Sequence, residues 1–480
     1  MEKIEKELNL KTVFIILCIC FISPSIVYLI SGKKIFDLIS SFTFFYTPTT
    51  AEFTPAKIVG TIFFVGIFLG IAFFYFKILK NHETIFKKKE DIAKFVLIVS
   101  IIFFIMLPLT STDVFYYIGT GWSEAHYGIN PYYTTVSEVL QQNEEAKTDE
   151  ILLKMQNTWS DQTIVYGPIW PFICKILSGL SMGNLTLALF IYKLFNLILH
   201  LVNTYLVHKI TKGKNIFTLM YALNPLLLFD GITNVHNEML VIFFILTALY
   251  FFIRKKNIFL TVIFFALATA VKYFAILLIP FIILYHYRKE KPLKKIAYSA
   301  LWALLFIVVL VGCYLLYMRD AEVLKGIMTQ QGKFSNSIFI YLAIRNIDLA
   351  LTVSRGFMLA FVIIYIANIV KLIFTEQNYS FQEYIRKYNW LLALFIFATI
   401  TNFQSWYTLW LLPTIFWQSS KNIKRILNLT IIVEVSNVVY FLLYENFRYC
   451  QLYVALVIIL YLLSIELEKI NENRRLVLEK

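Results

Sequence analysis

The sequence predicts an all-α membrane protein with about 12–15 transmembrane helices. Three observations carry that expectation. Hydrophobic residues fill 59 % of the 480 positions and charged residues 15 %, against roughly 45–50 % and about 25 % in average soluble proteins. Apolar runs of about the length needed to cross a bilayer recur along the chain. Of the 44 Lys and Arg, 30 fall in alternate loops and the two terminal tails, the asymmetry that orients membrane proteins. This composition excludes a soluble enzyme, a disordered chain and a disulfide scaffold. The net charge of +14 reads mainly as a topological signal, so nucleic acid is not needed as a partner to explain it.

The first apolar run, Thr12 to Ile30, follows a charged start, Met1–Lys11. It is longer than a signal-peptide core and reads as a retained first span. Further spans are expected near 58–76, 93–110, 185–207, 216–230, 238–253, 257–271, 273–287, 296–317, 355–374, 389–402, 405–418, 426–443 and 449–466. The stretch 163–182 is apolar but broken by Gly167-Pro168 and Pro171, so it is expected to be re-entrant or to lie at the membrane surface; a full crossing there would invert the charge alternation that follows. The chain then forms one polytopic domain, 1–480, of the plasma membrane, with both termini cytoplasmic. Its two largest external segments are 111–184, carrying amphipathic or re-entrant helices, and 318–354. No internal repeat is visible. The five cysteines, Cys18, Cys20, Cys174, Cys313 and Cys450, all lie in apolar stretches and read as small buried hydrophobes.

Ionisable residues at membrane depth mark candidate chemistry. Asp113 lies just past the third span, in Asp113-Val114-Phe115-Tyr116-Tyr117, with Glu124 eleven residues on and Gly128-Ile129-Asn130-Pro131-Tyr132 after that. Its plain alternative is a cap for the helix that follows. A second cluster, Asn234-Val235-His236-Asn237-Glu238, sits at an outer span junction. It suits hydrogen bonding to a sugar or phosphate. The alternatives are a capping box at Asn234 or, from His236 and Glu238, a weak divalent-metal signal. Lys272 interrupts an apolar run at the outer turn of a hairpin; it either snorkels to the interface or neutralises a lipid phosphate. Arg319, Arg345, Arg355 and Arg448 are further external cations. Gln404, Trp406 and Tyr407, followed by Trp410 and Pro413, read as an aromatic belt or as a surface for the apolar faces of a sugar. Tyr166-Gly167-Pro168 forms a turn before Trp170.

Taken in order, these pieces resemble the landmarks of the membrane-embedded C-type (GT-C) glycosyltransferase superfamily. The Asp113–Tyr117 and Gly128–Tyr132 segments are similar to the first outer loop of its bacterial mannosyltransferases. Tyr166-Gly167-Pro168, His236-Asn237-Glu238, Val271-Lys272-Tyr273 with Pro280, and Trp406-Tyr407 with Trp410 and Pro413 are similar to later landmarks. The group most resembled is the polyprenyl-phosphate-mannose-dependent α-mannosyltransferases. Two departures stand out: Asp113 follows the third span rather than the first, and Glu238 stands where Asp is common.

The resemblance implies an inverting hexosyltransferase with an external catalytic loop. It would move a sugar, expected to be mannose, from a polyprenyl phosphate to a hydroxyl of a glycolipid or cell-envelope glycan at the extracytoplasmic face. Asp113 would be the general base. Lys272 first and His236 second would face the donor phosphate. Tyr116, Tyr117, Glu124, Asn130, Tyr166, Asn237, Glu238, Gln404, Trp406 and Tyr407 would contact sugar or acceptor. No cofactor and no metal are expected, with a divalent ion as the lesser alternative. Membrane lipids and the two substrates are the expected partners. Competing readings are a transporter or flippase of a lipid-linked saccharide, a ligase or polymerase using a lipid diphosphate, and an assembly subunit without catalysis.

Overall fold

A computed structural model describes residues 2–30, 55–108, 111–155, 159–374 and 379–442. Every regular element among them is helical; the sole pairing of extended backbone is an isolated bridge between Ser335 and Asn402. The protein is an all-α polytopic membrane protein. Four helices are long and apolar enough to cross a bilayer alone: Ile62–Lys80, Leu185–Ile210, Pro292–Tyr314 and Ile347–Phe374. A fifth crossing results if the bent pair Asn215–Ala222 and Leu227–Thr233, at 55° to each other, is taken as one span.

Of the other expected spans, 12–30 lies in the helix Glu2–Ile30 and most of 426–443 in Ser420–Leu442; the rest coincide with shorter pieces. Lys89–Ile105, Glu238–Tyr250, Ile258–Thr269, Ile279–His286 and Phe381–Ala398 are α-helices, and Ser405–Trp417 is a long 3₁₀ helix. Prolines account for several interruptions. Pro225 separates the two bent halves, Pro280 sits in the first turn of its helix, and Pro413 lies inside the 3₁₀ segment. Such breaks are tolerated at membrane depth where other helices enclose the freed backbone. The helix Ile169–Gly179 has 11 residues, about 16 Å, against a hydrocarbon core of about 30 Å. The span expected at 449–466, with Arg448, Cys450 and the basic tail from Lys469, lies outside the described residues. Cys18, Cys20, Cys174 and Cys313 are free thiols.

A polar seam organises the core. Lys193, Asn196, His200 and Asn203 recur at helical spacing along Leu185–Ile210 and are all fully buried. The Lys193 ammonium donates to the carbonyls of Met106 (2.7 Å), Ile232 (3.3 Å) and Thr233 (3.1 Å). The Asn196 amide donates to Gly231 (2.7 Å) and His236 (3.1 Å), and that of Asn203 to Met239 (3.1 Å). These bonds satisfy backbone groups freed at helix ends, and they fix the 231–239 turn against the chain leading into Asp113. About 20 Å further along the same helix, Lys209 offers its carbonyl to Arg254 (2.7 Å). Basic loops thus meet at the end of the bundle opposite the Asp113 cluster.

The segments 111–184 and 318–354 are clamped together. Asn130 Nδ2 donates to the carbonyl of Tyr317 (2.7 Å), and the Tyr133 hydroxyl accepts the N–H groups of Arg319 (2.8 Å) and Asp320 (3.1 Å). The helix Asp113–Tyr127 lies along Ile169–Gly179 so closely that a Cβ on Gly121 would meet the Cys174 carbonyl at 2.3 Å.

Candidate functional site

Five separate stretches converge on Asp113. It is the first residue of its helix, after Thr112 at the cap position, so its carboxylate is not spent on capping. Oδ2 lies 3.6 Å from His236 Nδ1 and accepts the Tyr117 hydroxyl at 3.4 Å. Tyr117 is one helical turn on, meets the Tyr166 hydroxyl at 3.1 Å, and rests edge-on against Trp170. Burial raises Asp113 from the usual carboxylate range to about 6; Lys272 and the Tyr117 hydroxyl oppose the rise, and Glu238 adds to it.

Tyr166 arrives through a backbone dock. The N–H groups of Gly167 and Ile169 donate to the carbonyls of Val271 and Ala270, each at 3.0 Å. A Cβ on Gly167 would come within 2.2 Å of the Ala270 oxygen, where backbone cannot yield. Gly167→Ala should therefore destabilise the protein by about 1–3 kcal/mol and displace Tyr166 and Lys272 together. A thermal unfolding midpoint equal to wild type would show that this dock is not rigid.

The same dock presents Lys272 to three rings. Its ammonium lies 5.6 Å from the Tyr166 centroid, 5.0 Å from Tyr407 and 5.5 Å from Trp410. It pairs directly with Glu238 and donates to Asn237 Oδ1 at 3.4 Å. Trp410 stacks between Phe274 (3.9 Å) and Tyr407 (4.6 Å) and donates from its indole to Glu238 Oε1 at 3.4 Å. Lys272 is thus held inward among aromatic rings rather than snorkelling. The rings that composition suggested as an interfacial belt pack against the site.

His236 is sealed. Its ring stacks on Trp406 at 3.7 Å, and neither ring nitrogen makes a hydrogen bond. Burial first, then Lys272, keeps the imidazole well below its usual range and neutral. Nε2 faces Asp230 Oδ1 at 4.0 Å; that carboxylate accepts from Asn234 Nδ2 (2.8 Å) and Ser405 (3.2 Å). Val235, just before His236, has φ of 60°, a strained value for a β-branched residue that concentrates at functional sites. Asn234 therefore bonds Asp230 instead of capping, and Asn237 occupies the cap position of Glu238–Tyr250 without a side-chain capping bond. Asn237 Nδ2 and Glu238 Oε2 are buried with no hydrogen-bond partner. Among the described residues no three His, Cys, Asp or Glu are grouped to hold a metal ion.

Asp113, Tyr117, Tyr166, His236, Asn237, Glu238, Lys272, Trp406 and Tyr407 are therefore brought together. Tyr116 is buried beside them and reaches the Gln162 carbonyl at 3.3 Å. Gln404 bonds Asn402 at 3.0 Å at the start of the aromatic 3₁₀ helix. Glu124 and Asn130 lie apart. Glu124 is about 16 Å along the helix from Asp113, shares the Tyr317 hydroxyl proton between its two oxygens (3.0 and 3.1 Å) and pairs with Lys175 at 3.3 Å. Asn130 turns its amide to the Tyr317 carbonyl. Both serve the clamp between segments 111–184 and 318–354. Sequence reasoning missed Lys193 and Asn196, whose spacing within an apolar run was the available signal.

Known proteins resemble this chain over its first part. Residues 29–288 match a family model described as α-(1→6)-mannopyranosyltransferase, N-terminal domain. The α-(1→6)-mannopyranosyltransferase A of Corynebacterium glutamicum is 23 % identical over 247 residues, 49 % of this chain and 48 % of the relative. The chain thus spans about half the length of the curated relative it matches. No solved structure matches. Asp113, Tyr117, Tyr166, His236, Glu238 and Lys272 all fall inside the matched range; the aromatic 3₁₀ helix lies beyond it.

Proposed function

This chain belongs to the α-(1→6)-mannopyranosyltransferase family, and from that premise we propose that it transfers mannose from a polyprenyl-phosphate donor to a hydroxyl of a glycolipid or cell-envelope glycan. One observation carries the reading. Within an otherwise sealed cluster, Asp113 and Lys272 alone among the ionised side chains keep contact with the surface, their side chains 18 % and 14 % exposed, while His236 and Glu238 are at 0 %. A donor arriving from the lipid side meets a carboxylate and an ammonium on one aromatic-lined face.

The acceptor oxygen attacks the anomeric carbon opposite the phosphate, and Asp113 Oδ2 takes its proton. The bond from that carbon to the phosphate oxygen breaks, and its electron pair leaves with the phosphate. Lys272 balances the charge that grows there. A phosphate leaves without being protonated, so one carboxylate suffices, unlike the two of glycoside hydrolases. The configuration inverts. Neutral His236 packs beneath Asp113, its Nδ1 3.6 Å from Oδ2. The rings of Tyr166 and Tyr407 present apolar surface to the sugar, and Trp410 backs Tyr407. The reaction so written uses no cofactor. The basic loops at the far end of the bundle support cytoplasmic termini and an extracytoplasmic site.

Purified full-length protein supplied with polyprenyl-phosphate-mannose, and in parallel with glucose and arabinose analogues, tests this against glycolipid acceptors. Mannosylated acceptor is the expected product. Movement of the lipid-linked sugar without transfer would instead establish a transporter. Because Asp113 must be ionised to act, kcat/KM should fall about tenfold per pH unit below an apparent value of about 6. An acid limb near 4 would mean that the base is a solvated carboxylate elsewhere.

A further inference from the structure

The charge balance of the site is wrong for the donor it would take. Asp113 and Glu238 are two carboxylates, Lys272 is one ammonium, and that ammonium is already paired with Glu238. Asp230 lies behind His236, held by Asn234 and Ser405. The neighbouring cations are engaged elsewhere: Lys193 by three carbonyls, Lys175 by Glu124, and Lys333 by the Gln162 side chain and the Trp159 ring. A phosphate reaching this face would find none of these cations unengaged.

We propose that Glu238 is the resident counter-ion of Lys272: its carboxylate stands in for the donor's phosphate while the site is empty, and competes with the product's phosphate so that the spent lipid leaves. The inference rests on the reading of Lys272 as the phosphate cation. Three features support it beyond the ion pair. Glu238 is fully enclosed while Lys272 keeps an exposed edge, so the anion approaches Lys272 from inside and leaves the outer side open. Glu238 Oε2 has no hydrogen-bond partner, so the carboxylate is held by Oε1 contacts to Lys272 and to the Trp410 indole. The ammonium sits among three ring faces, which stabilise a cation whether its anion is Glu238 or a phosphate. Two anions on one ammonium repel each other, so each weakens the other's hold.

The test uses full-length protein in detergent, with farnesyl phosphate as the anionic probe and farnesol as its uncharged control. Glu238→Gln keeps side-chain volume and an acceptor for Lys272 and Trp410 but removes the charge. It should bind farnesyl phosphate about tenfold more tightly than wild type, with farnesol unchanged. Turnover should then become more sensitive to inhibition by polyprenyl phosphate, with the first turnover less affected than later ones. Equal or weaker farnesyl phosphate binding in Glu238→Gln would overturn the counter-ion role and make Glu238 an anchor for Lys272. Wild type binding farnesyl phosphate no better than farnesol would instead remove the phosphate reading of Lys272 itself. Should Glu238→Gln fail to fold, Glu238→Asp, which keeps the charge and shortens its reach, is expected to tighten binding by a smaller factor; unchanged or weaker binding there would count against the proposal.

Discussion

Asp113→Asn should lower turnover about a thousandfold while leaving the fold and donor binding near wild type. The rate factor follows from the role: a positioned general base contributes on the order of 10²–10⁴. An amide has no basic site to receive the acceptor's proton. The preserved fold follows from the surroundings. Asp113 opens its helix without capping it, and an Asn oxygen still accepts from Tyr117. Burial pushes the carboxyl up to about 6, so the folded protein disfavours the anion above that pH, and a neutral amide relieves the penalty. The variant should therefore unfold at the same temperature as wild type or slightly higher, and its affinity for farnesyl phosphate should hold or rise, since one negative charge is gone. Turnover above a tenth of wild type would remove Asp113 from the base role. Lost turnover with lost binding would mean that the carboxylate shapes the donor pocket rather than moving a proton.

Much of this site was legible before any coordinates. Asp113, His236 and Lys272 are conspicuous because each is an ionisable side chain in or beside an apolar run, where solvation cost makes such residues rare. The breaks at Pro225 and Pro280 could be read from backbone chemistry alone. Which partner each side chain would take was not legible. Asn130 looks like part of a sugar-binding motif, but its amide is drawn to a carbonyl 187 residues away. Glu124 is held by a hydroxyl 193 residues away. The close approach of Gly167 to Ala270 has no local signature beyond a glycine followed by a proline, yet it brings Tyr166 over Lys272. The polar seam of Lys193, Asn196, His200 and Asn203 lay within reach, since a stripe at helical spacing inside an apolar span points to a bundle interior. Its role in holding the His236 turn depends on which carbonyls the folded chain leaves free.

Lys272→Met is the second large effect, and it separates stability from function. Methionine fills a similar space among Tyr166, Tyr407 and Trp410 but carries no charge. Donor phosphate affinity should fall about a hundredfold, the scale expected on removing one partner of an enclosed charge pair, while acceptor KM changes little. The same substitution leaves Glu238 buried with an uncompensated charge, which costs about 3–5 kcal/mol. The single variant should therefore also unfold at a lower temperature, and its loss of binding alone would be ambiguous. Adding Glu238→Gln resolves this. The double variant, Lys272→Met with Glu238→Gln, should recover most of the thermal stability, because the stranded charge is gone, yet remain as poor at binding farnesyl phosphate as the single variant. Glu238→Gln alone should bind it more tightly than wild type, so the two substitutions are strongly non-additive, as expected for residues in direct contact. Recovery of binding along with stability in the double variant would show that Lys272 serves to neutralise Glu238 and that the donor's phosphate is held by another cation.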